Sequence, residues 1–309
     1  MKIISSNGKE DLAIVHIAES STGNMVEFVE SMHLQKPRSE KWILTISTLY
    51  GCPVSCTICD AGSYYLGRMS KEAMFWQLDH MISRRYPDGK IPVKQLKVHF
   101  TRMGEPAFNM GVLDVINEFS WYFDAPGFMP SISSIAPKGS EKFFDELLRL
   151  KNEKFSGGKF QLQFSIHTTD EKKRDELIPV KKWSIEKIAE YGNRFYVKGD
   201  RKITLSFAPS IENPIEAKVI RSIFDPAVFL IKLTSLNTTQ NALKNELTPV
   251  IKHDHIPRMA EAALNTLAAS FTDEGFDVLV IPGNYEELII GSTCGQNLIA
   301  HSREGGNLN

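Results

Sequence analysis

The chain lacks any long apolar run. No stretch of its 309 residues reaches the roughly 18 consecutive apolar residues of a membrane span. The first nine residues, from Met1 to Lys9, have no apolar stretch ahead of their charges, so they do not resemble a signal peptide. These two absences exclude a membrane protein and a secreted one, and we expect a soluble cytoplasmic protein without a membrane partner.

An excess of positive charge is also missing. The chain has 36 Lys and Arg against 37 Asp and Glu, for a net charge of −1. No global positive field therefore draws nucleic acid to it. Basic patches lie at residues 172–174, 181–182 and 198–202. Such short charge runs are more typical of solvated faces than of binding sites.

Cysteine is scarce, with four in the whole chain. A large chain with so few cysteines is not a disulfide-stapled scaffold. Three of them, Cys52, Cys56 and Cys59, lie within eight residues, and the fourth is the distant Cys294. This clustering indicates metal binding or catalysis rather than disulfide pairing.

Strand and helix signals alternate along most of the chain, and no internal repeat is present. Residues 12–18 and 25–29 predict an N-terminal β-hairpin. Further strands are predicted at 42–48, 96–101, 129–135, 160–167, 202–208, 228–234 and 277–281, and helices at 70–84, 111–123, 140–151, 184–191, 216–224 and 257–275. Ser70 and Ser140 are the expected N-caps of two helices. This alternation predicts an α/β fold of about six βα units in a full or partial barrel, with functional residues at the carboxyl ends of the strands.

The three clustered cysteines have the spacing C-x3-C-x2-C and follow a predicted strand. A four-iron cluster takes four ligands, usually thiolates, so three local cysteines would leave one iron open for a substrate or cofactor. Zinc is the alternative, and His80 or His99 could supply its fourth ligand. The spacing alone favours an iron–sulfur cluster over zinc but leaves both open.

The cysteine motif and five other segments, taken in order, resemble the radical SAM superfamily, which cleaves S-adenosylmethionine (SAM). The finer resemblance is to the ribosomal-RNA adenine methyltransferases RlmN and Cfr. The segments are Arg102 to Asn109 ("GMGEPLxN" in the family), Ser133-Ser134, Phe164 to His167 with Arg174 to Pro179 ("SLHA…RxxixP"), Lys232 to Asn237 ("NLIPxN") and Thr293 to Gln296 ("ACGQ"). The resemblance covers roughly residues 41–300.

This resemblance implies a partial (β/α)6 radical SAM barrel at residues 41–285. A short N-terminal β-hairpin extension would occupy residues 1–40, and a C-terminal segment, 286–309, would carry Cys294. By resemblance, Cys52, Cys56 and Cys59 bind a [4Fe–4S] cluster. The implied SAM-binding residues are Met103, Gly104, Glu105, Ser133, Ser165, His167 and Asn237.

The family's chemistry uses a carrier and a resolving cysteine. One SAM methylates the carrier, and a second SAM, cleaved with an electron from a donor such as flavodoxin or ferredoxin, supplies a 5′-deoxyadenosyl radical. Cys294 stands at the carrier position. The resolving cysteine is expected seven residues before Cys52, where this chain has Thr45. A hydroxyl cannot form the disulfide that releases the product.

Two other departures concern the substrate. Only about 51 residues precede Cys52, where the family carries a larger RNA-binding domain, and the segments 205–207 and 232–235 differ from the family's barrel strands. Three hypotheses remain. The first is a methyltransferase that uses methyl-Cys294 on an sp2 carbon, of RNA or of a small molecule. The second is another radical reaction on a small molecule or nucleotide, and the third is a zinc- or cluster-bearing binding protein.

Overall fold

Twelve strands and nine helices lie in the part of the chain that the computed structural model describes, residues 1–33, 35–250, 258–281, 285–292 and 298. The strands are β1 (Lys2–Lys9), β2 (Ala13–Glu19), β3 (Met25–Met32), β4 (Trp42–Thr45), β5 (Leu49–Gly51), β6 (Tyr65–Arg68), β7 (Leu96–His99), β8 (Phe128–Ser134), β9 (Gln161–Ser165), β10 (Ile203–Phe207), β11 (Phe229–Thr234) and β12 (Asp277–Ile281). The helices are α1 (Lys71–Ser83), α2 (Gly111–Tyr122), α3 (Glu141–Lys154), α4 (Glu171–Leu177), α5 (Ile185–Phe195), α6 (Ala217–Ile223), α7 (Gln240–Lys244), α8 (Arg258–Asp273) and α9 (Tyr285–Ile290).

Ten of the strands form one sheet in the order β1-β2-β3-β4-β7-β8-β9-β10-β11-β12. The strands from β4 to β12 in this order pair in parallel, whereas β1 to β4 pair antiparallel. β5 and β6 form a separate two-stranded ribbon. The parallel part, with helices between its strands, confirms the predicted α/β fold, because parallel neighbours require crossover connections.

The predicted N-terminal hairpin consists of β2 and β3, and a third strand, β1, was not predicted. β1 pairs with β2 at the edge of the sheet. Its residues, Lys2–Lys9, are mostly exposed and polar. An edge strand that buries little carries almost no apolar alternation, so its sequence gave no strand signal.

Of the two predicted N-caps, Ser70 makes a capping hydrogen bond and Ser140 does not. Ser70 caps α1 as expected, because its Oγ accepts a hydrogen bond from the Ala73 N–H at 3.2 Å. Ser140 precedes α3 but makes no capping bond. Its Oγ instead donates to the Pro137 carbonyl at 2.5 Å. The prediction of a Ser140 cap was therefore right in position and wrong in hydrogen bonding.

The two faces of the parallel sheet differ in chemistry. In β9, Leu162 and Phe164 are buried in the main core with residues of the helices. Gln161, Gln163 and Ser165 alternate with them and point to the opposite side, which we call the inner face. The core therefore lies between sheet and helices, and polar side chains line the inner face.

Within the described residues, no helix is long and apolar enough to cross a membrane.

Candidate active site

The three clustered cysteines lie on the loop between β5 and β6, called the cysteine loop (residues 52–64). Gly51, the last residue of β5, leads into this loop with a φ of +80°. A Cβ at this position would lie 2.0 Å from the Tyr64 carbonyl oxygen, so only glycine fits. The loop closes on itself, because Cys52 N–H donates to that carbonyl at 3.0 Å and Cys59 N–H donates to the Cys56 carbonyl at 3.1 Å. As whole residues, all three cysteines are half-buried.

A remote segment holds the cysteine loop in place. The Asp60 carboxylate, 1% exposed, accepts from the N–H groups of Gln240 at 3.1 Å and Asn241 at 2.9 Å, in the first turn of α7. The Asn241 amide donates back to the Cys59 carbonyl at 2.7 Å, and the Thr239 hydroxyl donates to the Ile58 carbonyl at 3.0 Å. These bonds were not predicted, since nothing local pairs Asp60 with a helix about 180 residues later.

Replacing Asp60 by alanine is expected to destabilise the fold by about 1–3 kcal/mol, because two N–H groups at the start of α7 would lose the charged acceptor that holds the loop to them. Urea unfolding of the variant would measure this loss. The matched control is Asp11→Ala, since Asp11 is exposed and its removal should change the unfolding free energy by less than about 0.5 kcal/mol. Equal stability of the two variants would contradict the anchoring role of Asp60.

Glu105 lies at the carboxyl edge of the sheet, beside the cysteine loop. Its buried carboxylate accepts from the Ser134 hydroxyl at 2.6 Å, the Ile135 N–H at 2.9 Å and the Ala107 N–H at 3.0 Å. Burial raises the pKa of Glu105 to about 7, against the opposing effect of these hydrogen bonds. Burial, and then the charges of Cys52 and Glu105, raise the pKa of the Cys56 thiol.

The other predicted SAM-binding residues lie at the same edge, on several elements. Ser133, the penultimate residue of β8, and Ser165, the last residue of β9, lie on the inner face, and Ser133 Oγ accepts from Gln163 Nε2 at 2.9 Å. Asn237 is half-buried in the loop between β11 and α7. His167 has a positive φ of 66°, and its Nδ1 accepts from the Ala208 N–H at 3.3 Å. Burial, and then Arg174, lower the pKa of His167 to about 4.

Met103 and Gly104 pack tightly beneath the site. Met103 is fully buried, and its carbonyl accepts from the N–H groups of Thr48 at 2.9 Å and Leu49 at 3.2 Å. Gly104 has φ of +97°, and a Cβ there would lie 2.5 Å from the Leu49 side chain. The Met103 side chain therefore belongs to the core in this structure, and Gly104 allows β5 to approach.

The cysteine loop offers three thiols, and no fourth cysteine lies nearby in the sequence. This set of ligands fits an iron–sulfur cluster in its chemistry. Among the described residues, no three His, Cys, Asp or Glu side chains converge closely enough to hold a single metal ion. His80, a candidate zinc ligand, stacks on Trp76 with ring centroids 5.5 Å apart. His99, the other candidate, ends β7 on the inner face. Cys294 lies outside the described residues.

Thr45 stands on the inner face. It is the last residue of β4 and lies in register with His99 of β7. Since registered residues of parallel strands face the same side, the Thr45 side chain shares the inner face with His99. The residue at the expected resolving position therefore lies on the inner face, and it carries no sulfur.

A buried ion pair that sequence analysis missed lies behind the site. Arg102 Nη2 lies 2.8 Å from Glu27 Oε1, and the two side chains are 2% and 0% exposed. Arg102 also donates to the carbonyls of Gly291, at 3.2 Å, and Ser292. Glu27 Oε2 accepts from the Leu298 N–H at 3.1 Å. The one sign of this ion pair in the sequence was that Arg102 stands where the family motif has a glycine.

Comparison with known proteins identifies relatives over part of the chain. No family model matches it. It is 27% identical over 177 residues, 55% of this chain and 46% of the relative, to the probable dual-specificity RNA methyltransferase RlmN of Thermus thermophilus. It is 26% identical over 185 residues, 59% and 47%, to the dual-specificity RNA methyltransferase RlmN of Anaeromyxobacter dehalogenans. The chain thus spans about half the length of these curated relatives.

Solved structures match over more of the chain. A radical SAM methyltransferase from Sphaerobacter thermophilus superposes with a TM-score of 0.68 at 18% identity, over 96% of this chain and 80% of that one. SuiB of Streptococcus suis, bound to S-adenosylmethionine, gives a TM-score of 0.50 at 13% identity, over 79% and 52%. At these identities the likeness shows the fold, a partial barrel. The predicted resemblance is confirmed: this chain is similar in sequence to RlmN-type methyltransferases and has the fold of radical SAM enzymes.

Proposed function

We propose that the chain is a radical SAM enzyme whose cysteine loop holds a [4Fe–4S] cluster. The observation that carries this proposal is an anchored loop with three thiols, two of whose cysteines pack in one cluster with Ile135, whose N–H binds Glu105 just beyond the carboxyl end of β8. When bound, such a cluster supplies one electron for the reductive cleavage of SAM.

The residues around the loop suit the groups of SAM. The carboxylate of Glu105, with Gly104, would receive the ammonium of SAM, since a carboxylate is the strongest acceptor for a charged donor. Ser133, Ser165 and Asn237 would bind its carboxylate and ribose through hydroxyl and amide groups. Met103 and His167 would support this pocket, Met103 from the core beneath it and His167 through its bond to the Ala208 N–H.

For the overall reaction we propose methyl transfer to an sp2 carbon through methyl-Cys294. The sequence relatives named as RNA methyltransferases support this reaction and make RNA a candidate target. The proposal includes an electron donor such as flavodoxin or ferredoxin and a cytoplasmic location. The four cysteines of the chain are enough for three cluster ligands and a carrier, and the resolving cysteine of the family has no counterpart.

The position of Thr45 favours a second candidate, a different radical reaction on a small molecule or nucleotide. Thr45 faces the inner side, where a resolving thiol would have to act. A hydroxyl is far less nucleophilic than a thiolate and forms no disulfide, so product release by cysteine exchange is unavailable at this position. Under methyl transfer, an external thiol would have to release the product.

Peptide mass spectrometry of Cys294 separates the two candidates. The chain is reconstituted with iron and sulfide and incubated with SAM and a reductant. A methyl group on Cys294 is the expected result, and Cys294→Ala should lose methyl transfer while it retains its iron. Unmodified Cys294 together with accumulating 5′-deoxyadenosine would instead establish the second candidate. Stoichiometric zinc without iron would exclude both.

A further inference from the structure

The inner face carries two lysines that the proposed chemistry does not use. Lys97 lies on β7, two residues before His99, and Lys232 lies on β11. Registered residues link each pair of neighbouring strands from β7 to β11. These registered residues are His99↔Ser131, Ser133↔Gln163, Ser165↔Ser206 and Ser206↔Lys232. Because registered residues and alternate residues of a strand face one side, both lysines point into the same interior.

Lys97 is nine-tenths buried without a counter-charge. It is 9% exposed, and the charged groups that act on it are all cations, namely Lys41, Lys232 and Arg201. Within the part of the chain that the structure describes, its ammonium makes no ion pair or hydrogen bond. Burial, followed by these cations, lowers the pKa of Lys97 to about 7.

Lys232 is held by a polar chain instead of an acid. Its Nζ donates to Gln163 Oε1 at 3.3 Å, and Gln163 Nε2 donates to Ser133 Oγ at 2.9 Å. Burial lowers the pKa of Lys232 as well. The amide thus orients the ammonium without neutralising it.

The contrast with another buried lysine shows that this arrangement is unusual for the chain. Lys151, whose side chain is 1% exposed, lies 2.7 Å from the Asp200 carboxylate. Burying an ammonium without a partner is costly, so buried lysines are normally paired. Lys97 is largely buried without an acceptor and Lys232 has only a neutral one, so a ligand anion would stabilise both ammonium groups.

We propose that the inner face binds a terminal anionic group of a small substrate, a phosphate or a carboxylate, between Lys97 and Lys232. The inference rests on the proposed function in that it treats the interior of the barrel as the substrate site. Lysine binds phosphate and carboxylate as a point charge, and the Gln163 amide and Ser133 hydroxyl are hydrogen-bonding neighbours for either anion. A side chain as enclosed as Lys97 is closed to the backbone of an RNA duplex, so a small molecule is the occupant that fits.

The test is anion binding by the iron-reconstituted chain, measured by calorimetry with inorganic phosphate and, separately, with acetate, at constant ionic strength. Saturable binding of either probe is expected, and the tighter one identifies the group. Lys97→Met and Lys232→Met should each weaken binding about tenfold or more. Lys97→Gln is a second variant of similar size. Lys172→Met, at an exposed lysine, is the matched control and should bind like the original chain.

Several results would overturn the inference. Absence of binding by both anions is one, and binding that Lys97→Met and Lys232→Met leave unchanged is another. Displacement of phosphate by an RNA oligonucleotide without a terminal phosphate would contradict a site for small anions. Formation of 5′-deoxyadenosine from SAM, measured on the same preparation, tests the proposed function separately. SAM cleavage without anion binding would reject the inference alone, and anion binding without SAM cleavage would reject the proposed function alone.

Discussion

Cys59→Ala is expected to abolish the reductive cleavage of SAM. Three thiolates are the only ligands that the cysteine loop offers a cluster, and two would leave a second iron without protein support. The variant should therefore purify with little iron and form no 5′-deoxyadenosine. Iron content and nucleoside release, both measured under anaerobic conditions, check this result.

The matched control lies in the same loop. Thr57 stands between Cys56 and Cys59, and its buried hydroxyl finds no hydrogen-bond partner among the described residues. Thr57→Val keeps the shape of the side chain and all three thiols, so it should keep both iron and activity. Undiminished 5′-deoxyadenosine formation by Cys59→Ala would refute the cluster assignment. Loss of activity in Thr57→Val would show that the loop tolerates no change. The inactivity of Cys59→Ala would then say nothing about cluster binding.

The second large effect is expected on stability. Arg102→Met should destabilise the fold by about 3–5 kcal/mol, because it leaves the Glu27 carboxylate buried without its counter-ion. It also removes the donors to the Gly291 and Ser292 carbonyls. Urea unfolding of the two proteins measures the difference.

Two comparisons make this expectation specific. Arg149 pairs with Glu146 and Glu153 on the surface, where its side chain is 59% exposed, so Arg149→Met should cost about 1 kcal/mol or less. The double change Glu27→Met with Arg102→Met should recover part of the loss, since two apolar side chains leave no unpaired charge. If Arg102→Met and Arg149→Met lose equal stability, the buried pair does not anchor this region.

The sequence predicted the features that depend on local pattern. Alternating apolar residues located the parallel strands, as in β9, and the Ser70 cap located the start of α1. The prediction missed β1, because an exposed edge strand has no apolar alternation. It also missed the ribbon of β5 and β6, whose three- and four-residue strands are too short to show a period.

The candidate site also has a part that the sequence predicted and a part that it did not. The cysteine spacing and the segment around Glu105 were legible as motifs, because their chemistry depends on residues close together in the chain. The contacts of the motif residues were not predicted: Met103 is buried in the core, and Glu105 accepts hydrogen bonds from three donors in two segments.

The sequence alone thus determined the α/β architecture, the cysteine loop and the kind of cofactor to look for, because each depends on local periodicity or spacing. Only the tertiary structure decided that Asp60 anchors this loop to α7, that Arg102 pairs with Glu27, and that Lys97 and Lys232 face one interior. The residues in each of these arrangements are from 75 to 181 positions apart. Their partners are chosen by the packing of the sheet, and no local pattern encodes that choice.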